Sequence, residues 1–193
     1  IADDDGITAL HAAITEGNVE IVRLLLGAQG IDVNIAAADD GITALHAAIT
    51  EGNVGIVRLL LGAPSIEVNR ASNEGITALH AAAMSGNIEI VRVLLGAPSI
   101  DVNRAMDEGV TALHAAAMSG NIEIARLLLD APGMDVNLAN SDGITPLQFA
   151  SQQGNAELVC LFLGTDGIGD VNQAMDDGAT ALSIASANGH VDV

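Results

Sequence analysis

The chain has 193 residues, half of them apolar, which argues against disorder and allows a buried core. Its formal charge of −19, with six Arg and no Lys against 25 Asp and Glu, makes nucleic acid and anionic membrane surfaces poor partners. No apolar run approaches the roughly 20 residues of a membrane span, and the single cysteine, Cys160, excludes an internal disulfide. From the N-terminus, Thr8 stands as N-cap before ALHAAITE, a short Ala-rich helix A with Leu10 and Ala13 or Ile14 on one face, stopped at Gly17. Asn18 is the N-cap of helix B, VEIVRLLL, where Ile21, Val22, Leu24 and Leu25 recur at helical spacing and Glu20 sits in the positive first turn. GAQGIDVN follows as a turn with an extended I-D-V-N segment, and then a polar tip.

The same order recurs along the whole chain. G-[IVA]-T-[AP]-L begins at Gly6, Gly41, Gly75, Gly109, Gly143 and Gly178, in steps of 35, 34, 34, 34 and 35 residues. A period in that range marks a repeat architecture. Each helix is shorter than the ~12 residues at which an isolated helix becomes marginal, so neighbouring copies must stabilise it. Residues 1–193 read as a single array, with copies starting near 3, 38, 72, 106, 140 and 175. The last copy is cut short within the helix B pattern, which casts the sequence as a segment of something longer. It also leads us to expect apolar surface at the array ends, covered by further repeats or another subunit.

T-[AP]-L-H-A-A, G-N-[VI]-E-I-V-R-L-L-L and D-V-N, repeated in this order over essentially the whole chain, resemble the ankyrin repeat. The resemblance implies a mainly α solenoid of stacked helix-turn-helix pairs with projecting β-hairpin fingers, and a concave face made by the fingers and helix A. Two features depart from the family pattern. Only the fifth copy carries the usual Pro, Pro146, and the copies exceed the family's usual ~33 residues through longer connections.

Residues that suggest chemistry find structural roles instead. His11, His46, His80 and His114 fall at one position of successive copies. Packed helices are about 8 to 10 Å apart, too far for histidines to share a zinc ion at about 2 Å. Each is expected to hydrogen-bond near its Thr and tie adjacent fingers together. Cys160 replaces Arg23, Arg58, Arg92 and Arg126 of the other copies and has no base at nucleophile spacing. Glu20–Arg23, Glu89–Arg92 and Glu123–Arg126 are read as i,i+3 pairs on helix B. The DDDG and MDDG tips lack the ligand spacing of a calcium loop. No P-loop, dinucleotide fingerprint or G-x-S-x-G appears, so no cofactor, metal or enzymatic activity is expected.

Function is left to the surface. In ankyrin repeats partners contact finger tips and the exposed end of helix A, which maps the interface onto Asp39, Asp40, Asn73, Glu74, Ile76, Met84, Ser85, Asp107, Glu108, Val110, Met118, Ser119, Asp142, Asp176 and Asp177. With Asp3, Asp4 and Asp5, eleven of the 25 acids lie on the tips, opposed there only by Arg70 and Arg104. The acids read either as solubility for an apolar stack or as a field for a basic segment, and Met84 and Met118 either as packing or as adaptable anchors beside Ile76 and Val110. The first reading of function is a protein-protein interaction module, intracellular and cytoplasmic by default, whose partner presents basic and apolar residues. The alternative is a scaffold or spacer that uses end or convex-face contacts within a larger assembly.

Overall fold

A computed structural model describes residues 2, 3 and 5–193, which form one compact unit ending at Asp101 and a second spanning Val102–Val193. The first contains three helix pairs: α1 (Ala9–Thr15) with α2 (Val19–Leu26), α3 (Ala44–Thr50) with α4 (Val54–Leu61), and α5 (Ala78–Ser85) with α6 (Ile88–Leu95). The second opens on a short 3-10 turn at Asp107–Gly109. It continues with α7 (Ala112–Ser119) and α8 (Ile122–Leu129), α9 (Pro146–Gln153) and α10 (Ala156–Leu163), and the single helix α11 (Ala181–Ala187). Within each unit a helix packs on its partner and on the equivalent helix of the next copy, as α3 does on α4, α1 and α5, and α9 on α10, α7 and α11.

The caps explain why such short helices exist. The Thr43 side chain caps the His46 amide, while the ring nitrogen Nδ1 of His46 accepts the Thr43 backbone N–H, closing a capping box. The Asn of the G-N pair caps helix B, as Asn53 Oδ1 accepts the Ile56 N–H at 3.1 Å. Side chains of both helices then enter a common core; Leu45, Ile49, Ile56, Val57 and Leu60 of the second copy are all buried. In the first unit this aliphatic layer does the work that aromatics do elsewhere.

The fingers carry very little β structure. Among the described residues only isolated antiparallel bridges occur, Ala2 to Thr8, Ala36 to Thr43 and Ala105 to Thr111. Each finger is closed at its neck by one backbone bond, such as Ala37 N–H to Ile42 O at 2.8 Å or Asn140 N–H to Ile144 O at 2.9 Å. Fingers also bond to one another at their tips: Asn73 N–H donates to Asp40 O at 2.9 Å in the first unit, and Ser141 N–H to Glu108 O at 2.8 Å in the second. This close approach accounts for the glycine at Gly6, Gly41, Gly109 and Gly143. Gly41 has φ +73°, and a Cβ there would lie 2.8 Å from the Asn73 nitrogen.

Three local expectations are corrected. The V-N of the I-[DE]-V-N segment turns instead of extending, because the Asp32 carboxylate accepts the Asn34 N–H at 2.9 Å and bends the chain. Glu89 reaches Arg58 of the preceding copy, at 2.6 Å, since neighbouring B helices bring their outer faces together. Asp192 lies in a turn and not in a helix B, because the few residues after α11 cannot close a ladder of i→i−4 bonds.

The D-V-N asparagines join one copy to the next. The Asn69 amide donates to Ser99 O at 2.6 Å and its Oδ1 accepts the Asp101 N–H at 2.9 Å. Asn34, Asn103 and Asn137 make the same pair of bonds to the loop of the following copy. A carboxamide is the smallest side chain that donates and accepts across such a gap.

Candidate partner-binding surface

The histidines set the spacing between a helix A and the next finger. In His46, Nδ1 accepts the Thr43 N–H, so Nε2 carries the proton and donates to Ile76 O at 2.9 Å. His114 repeats this with Ile144 O at 3.0 Å, its ring edge-on to Phe149 with centroids 5.8 Å apart. Gln148 supports the tautomer: Oε1 accepts the Thr145 N–H at 2.7 Å and Nε2 donates to Gln173 O at 2.8 Å. Ser183 is too short to reach beyond its own cap. Burial holds His46 and His114 below the ordinary pKa of 6.5, opposed by the carbonyl each one binds. His80 makes the same contacts with Thr77 through Nδ1.

His11 departs from the series. Its Nδ1 is bound to Thr8 as in the other copies, but its buried Nε2 makes no hydrogen bond, although the Ile42 carbonyl is its neighbour. Burial lowers its pKa, opposed by that carbonyl and by Asp40 and Asp3. The His11 ring lines a hollow of about 430 Å³ between the finger and helix A of the first two copies, walled by Ile7, Ala12, Ala37, Ile42 and Ala47, with Thr15, Glu16 and Asp40 completing the lining.

The sequence-nominated residues divide between the units. In the first, Asp39, Asp40, Asn73, Glu74 and Ser85 are exposed and Ile76 is half-buried. In the second, Asp107, Glu108, Ser119, Asp142, Asp176 and Asp177 are exposed and Val110 is half-buried. Met84 is 55% exposed and Met118 49%, so each leaves about half of its surface open to a partner. Asp4 lies outside the described residues. Arg70, nominated as a cation on the tips, is held by Glu67 at 3.2 Å.

Sequence reasoning missed the hollow by His11, although Ile7, Glu16 and Asp40 were each visible in it. It also missed a larger groove of about 690 Å³ in the first unit, between the loops that follow α4 and α6. That groove is walled by turn residues such as Pro64 and Pro98, and its two charges, Glu67 and Arg70, already satisfy each other. It therefore offers an incoming charge little. Among the described residues no three His, Cys, Asp or Glu gather closely enough to hold a metal ion, and no helix is long and apolar enough to cross a membrane.

The repeated Thr-capped helix A, Asn-capped helix B and tip-bonded finger match a family model for ankyrin repeats (3 copies) over residues 1–72, 62–140 and 132–193. The chain belongs to the ankyrin repeat family. Among solved structures it is similar to the ankyrin repeat domain of Bcl-3, a unique member of the IkappaB protein family, with TM-score 0.88 and 30% identity over 98% of this chain and 84% of that one. It also shares its fold with EF0377, an ankyrin repeat protein, with TM-score 0.88 and 24% identity over 99% of this chain and 96% of that one. No curated protein sequence matches it. Ankyrin repeats are in general protein-protein interaction modules, and the two exposed methionines lie near the C-terminal end of helix A in their copies.

Proposed function

We propose that this ankyrin-repeat chain is a non-catalytic module that recruits a protein partner through its finger tips and the exposed ends of helix A. The partner presents Lys or Arg flanking a few apolar side chains. The observation that carries this reading is the pairing, in each unit, of exposed tip carboxylates that outnumber the tip arginines with an exposed methionine: Asp39, Asp40 and Glu74 with Met84, and Asp107, Glu108, Asp142, Asp176 and Asp177 with Met118. A field of that sign speeds encounter with a basic segment, while affinity comes from apolar anchors. Ile76 and Val110, half-buried at the finger bases, extend the apolar part of the surface within their own units.

The test begins with affinity capture on the immobilised chain and identification of what binds by mass spectrometry. With that partner in hand, Met84→Asp with Met118→Asp should chiefly raise the off-rate. Neutralising Asp107, Glu108, Asp176 and Asp177 should chiefly lower the on-rate and flatten its salt dependence. Binding indifferent to both sets, yet abolished by changes on helix B, would sink the reading.

A second reading, a scaffold element that makes end contacts in a larger assembly, is favoured by two exposed apolar faces. Leu24 on α2 is 66% exposed and Leu182 on α11 is 69% exposed, whereas Leu45 and Leu113, which match Leu182 in other copies, are buried. A chain that stays monomeric at high concentration and binds no apolar dye would count against it.

A further inference from the structure

The hollow beside His11 brings together a cavity, an aliphatic floor and carboxylates. Its floor is aliphatic, formed by Ile7, Ala12, Ile42 and Ala47. The carboxylates come from separate elements, Glu16 from the end of α1 and Asp40 from the finger of the second copy. Neither meets a cation: Arg23 and Arg58 are on helix B beside Glu20 and Glu89, and Arg70 is held by Glu67. The tips around the hollow add Asp3, Asp5 and Asp39 and no positive charge. His11 itself, only 5% exposed, lines the hollow with its ring, while its Nε2 is closed off beside the Ile42 carbonyl.

We propose that this hollow is a subsite for an arginine side chain carried on an extended segment of a protein partner. The assignment rests on the recruitment reading above and goes beyond it by naming a side chain and a seat. An arginine stem buries its methylenes on the aliphatic floor while the planar guanidinium, with five donors and a weak hydration shell, reaches carboxylates on two sides. The volume of about 430 Å³ leaves room for the stem and the adjoining peptide group.

The test is a titration of the isotopically labelled full chain with the blocked peptide Gly-Ser-Gly-Leu-Arg-Leu-Gly-Ser-Gly, followed by backbone amide shifts. A single buried arginine corresponds to weak, roughly millimolar binding, so saturating shifts are expected by about 5 mM, confined to the residues around Ala12, Glu16, Asp40 and Ala47. The same peptide with Gln in place of Arg should bind about tenfold more weakly, and so should the Glu16→Gln, Asp40→Asn double variant toward the Arg peptide. Ala12→Leu, at an exposed helix position, fills the hollow without changing charge and should also abolish the shifts. Should that leucine disturb the amide spectrum of the free chain, the charge variant decides. No saturation, or equal binding of the Gln peptide, overturns the subsite. Saturable shifts around Met84 or Met118 that ignore both variants overturn the subsite and keep the recruitment reading. Shifts restricted to helix B and its following loops overturn both.

Discussion

The first two copies have the same sequence from Asp5 to Val19 and from Asp40 to Val54, and the same IVRLLLGA after it, yet they live in different surroundings. Ile56 is fully buried and its twin Ile21 is 45% exposed. His46 spans to the next finger and His11 does not close that bond. Ala44 is buried and Ala9 exposed. Local structure is unaffected: α1 and α3 have the same length and the same capping box, and α2 and α4 begin on the same Asn cap. Sequence therefore determines the helix, whereas the neighbour determines what the helix contributes to stability. That is the behaviour expected of a stack in which each copy contacts only the next.

The largest effect that could break this comparison is a matched truncation. Ile56→Ala should cost about 2 to 5 kcal/mol, through lost transfer energy and the cavity left between α4 and its neighbours. The same change at Ile21, already half in water, should cost well under half as much. Urea unfolding of the two variants, with amide exchange to assign the loss to a copy, measures both. Equal losses would mean that the first copy is as well covered as the second.

Next in size is the histidine pair. His46→Ala strands the Thr43 N–H and the Ile76 carbonyl and should cost about 1 to 3 kcal/mol, with His11→Ala nearer the lower end because only its Thr8 cap is lost. pH sharpens the contrast. Burial lowers the folded pKa of His46 below the unfolded 6.5, so the unfolded chain binds a proton first as pH falls. The stability that a neutral His46 confers is thus complete above 6.5 and is lost as pH drops through the folded value, with Asp40 and the Ile76 carbonyl limiting the loss. His46→Gln should keep the bonds, as Gln148 does in the fifth copy, and lessen the loss of stability that sets in below pH 6.5, with the part due to His11 and His114 remaining. An unchanged pH profile in that variant would show that the buried imidazole is not the group responsible.

How much of this could be read from residues alone follows from the range of each interaction. The period, the Thr and Asn caps and the Thr-His contact were legible because each depends on residues within a few positions or on the repeat itself, and the tie from His46 and His114 to the next finger was expected because a buried imidazole needs a partner on its second nitrogen. The asparagine bridges were not anticipated: D-V-N was visible as a pattern, but the acceptor of Asn69, Ser99 O, lies 30 residues on. Glu89 was assigned to Arg92 on the same helix because sequence shows i,i+3 spacing and hides the packing that brings Arg58 close. The exposure of Met84 and Met118 was left open, since the same residue type serves cores and surfaces equally well. The hollow by His11 was illegible for a further reason: His11 and His46 sit in identical stretches, and only the neighbouring copy distinguishes them.

The asparagine bridges allow a test of intermediate size. Asn34→Asp keeps the acceptor for the Glu67 N–H but replaces the donor to Ser65 O with a charge facing a carbonyl. The loss should be about 1 to 3 kcal/mol. Asn69→Asp should cost a similar amount, because its bonds to Ser99 and Asp101 are of the same lengths within 0.1 Å. Denaturation midpoints that do not move in either variant would demote the bridges to incidental contacts.

The smallest effect concerns the one place where helix B of the second copy departs from that of the first, Gly55 in place of Glu20. Gly55 is exposed and lies in the first turn of α4, and a Cβ there would meet nothing closer than Asn53 Oδ1 at 3.4 Å. A side chain is therefore sterically acceptable. Glycine in a helix costs about 0.5 to 1 kcal/mol relative to a good helix former. A carboxylate in the first turn adds some tenths of a kcal/mol through the N-terminal partial charge. Against this, the introduced carboxylate would compete with Glu89 for Arg58, an exposed pair that itself contributes less than about 1 kcal/mol, so little is gained or lost there. Gly55→Glu should thus stabilise the chain by about 0.5 to 1 kcal/mol, a gain that persists in high salt because most of it comes from backbone entropy. A gain that vanishes in high salt would assign it to charge instead, and no gain at all would mean that α4 is held so firmly by α2 and α6 that its own propensity no longer matters.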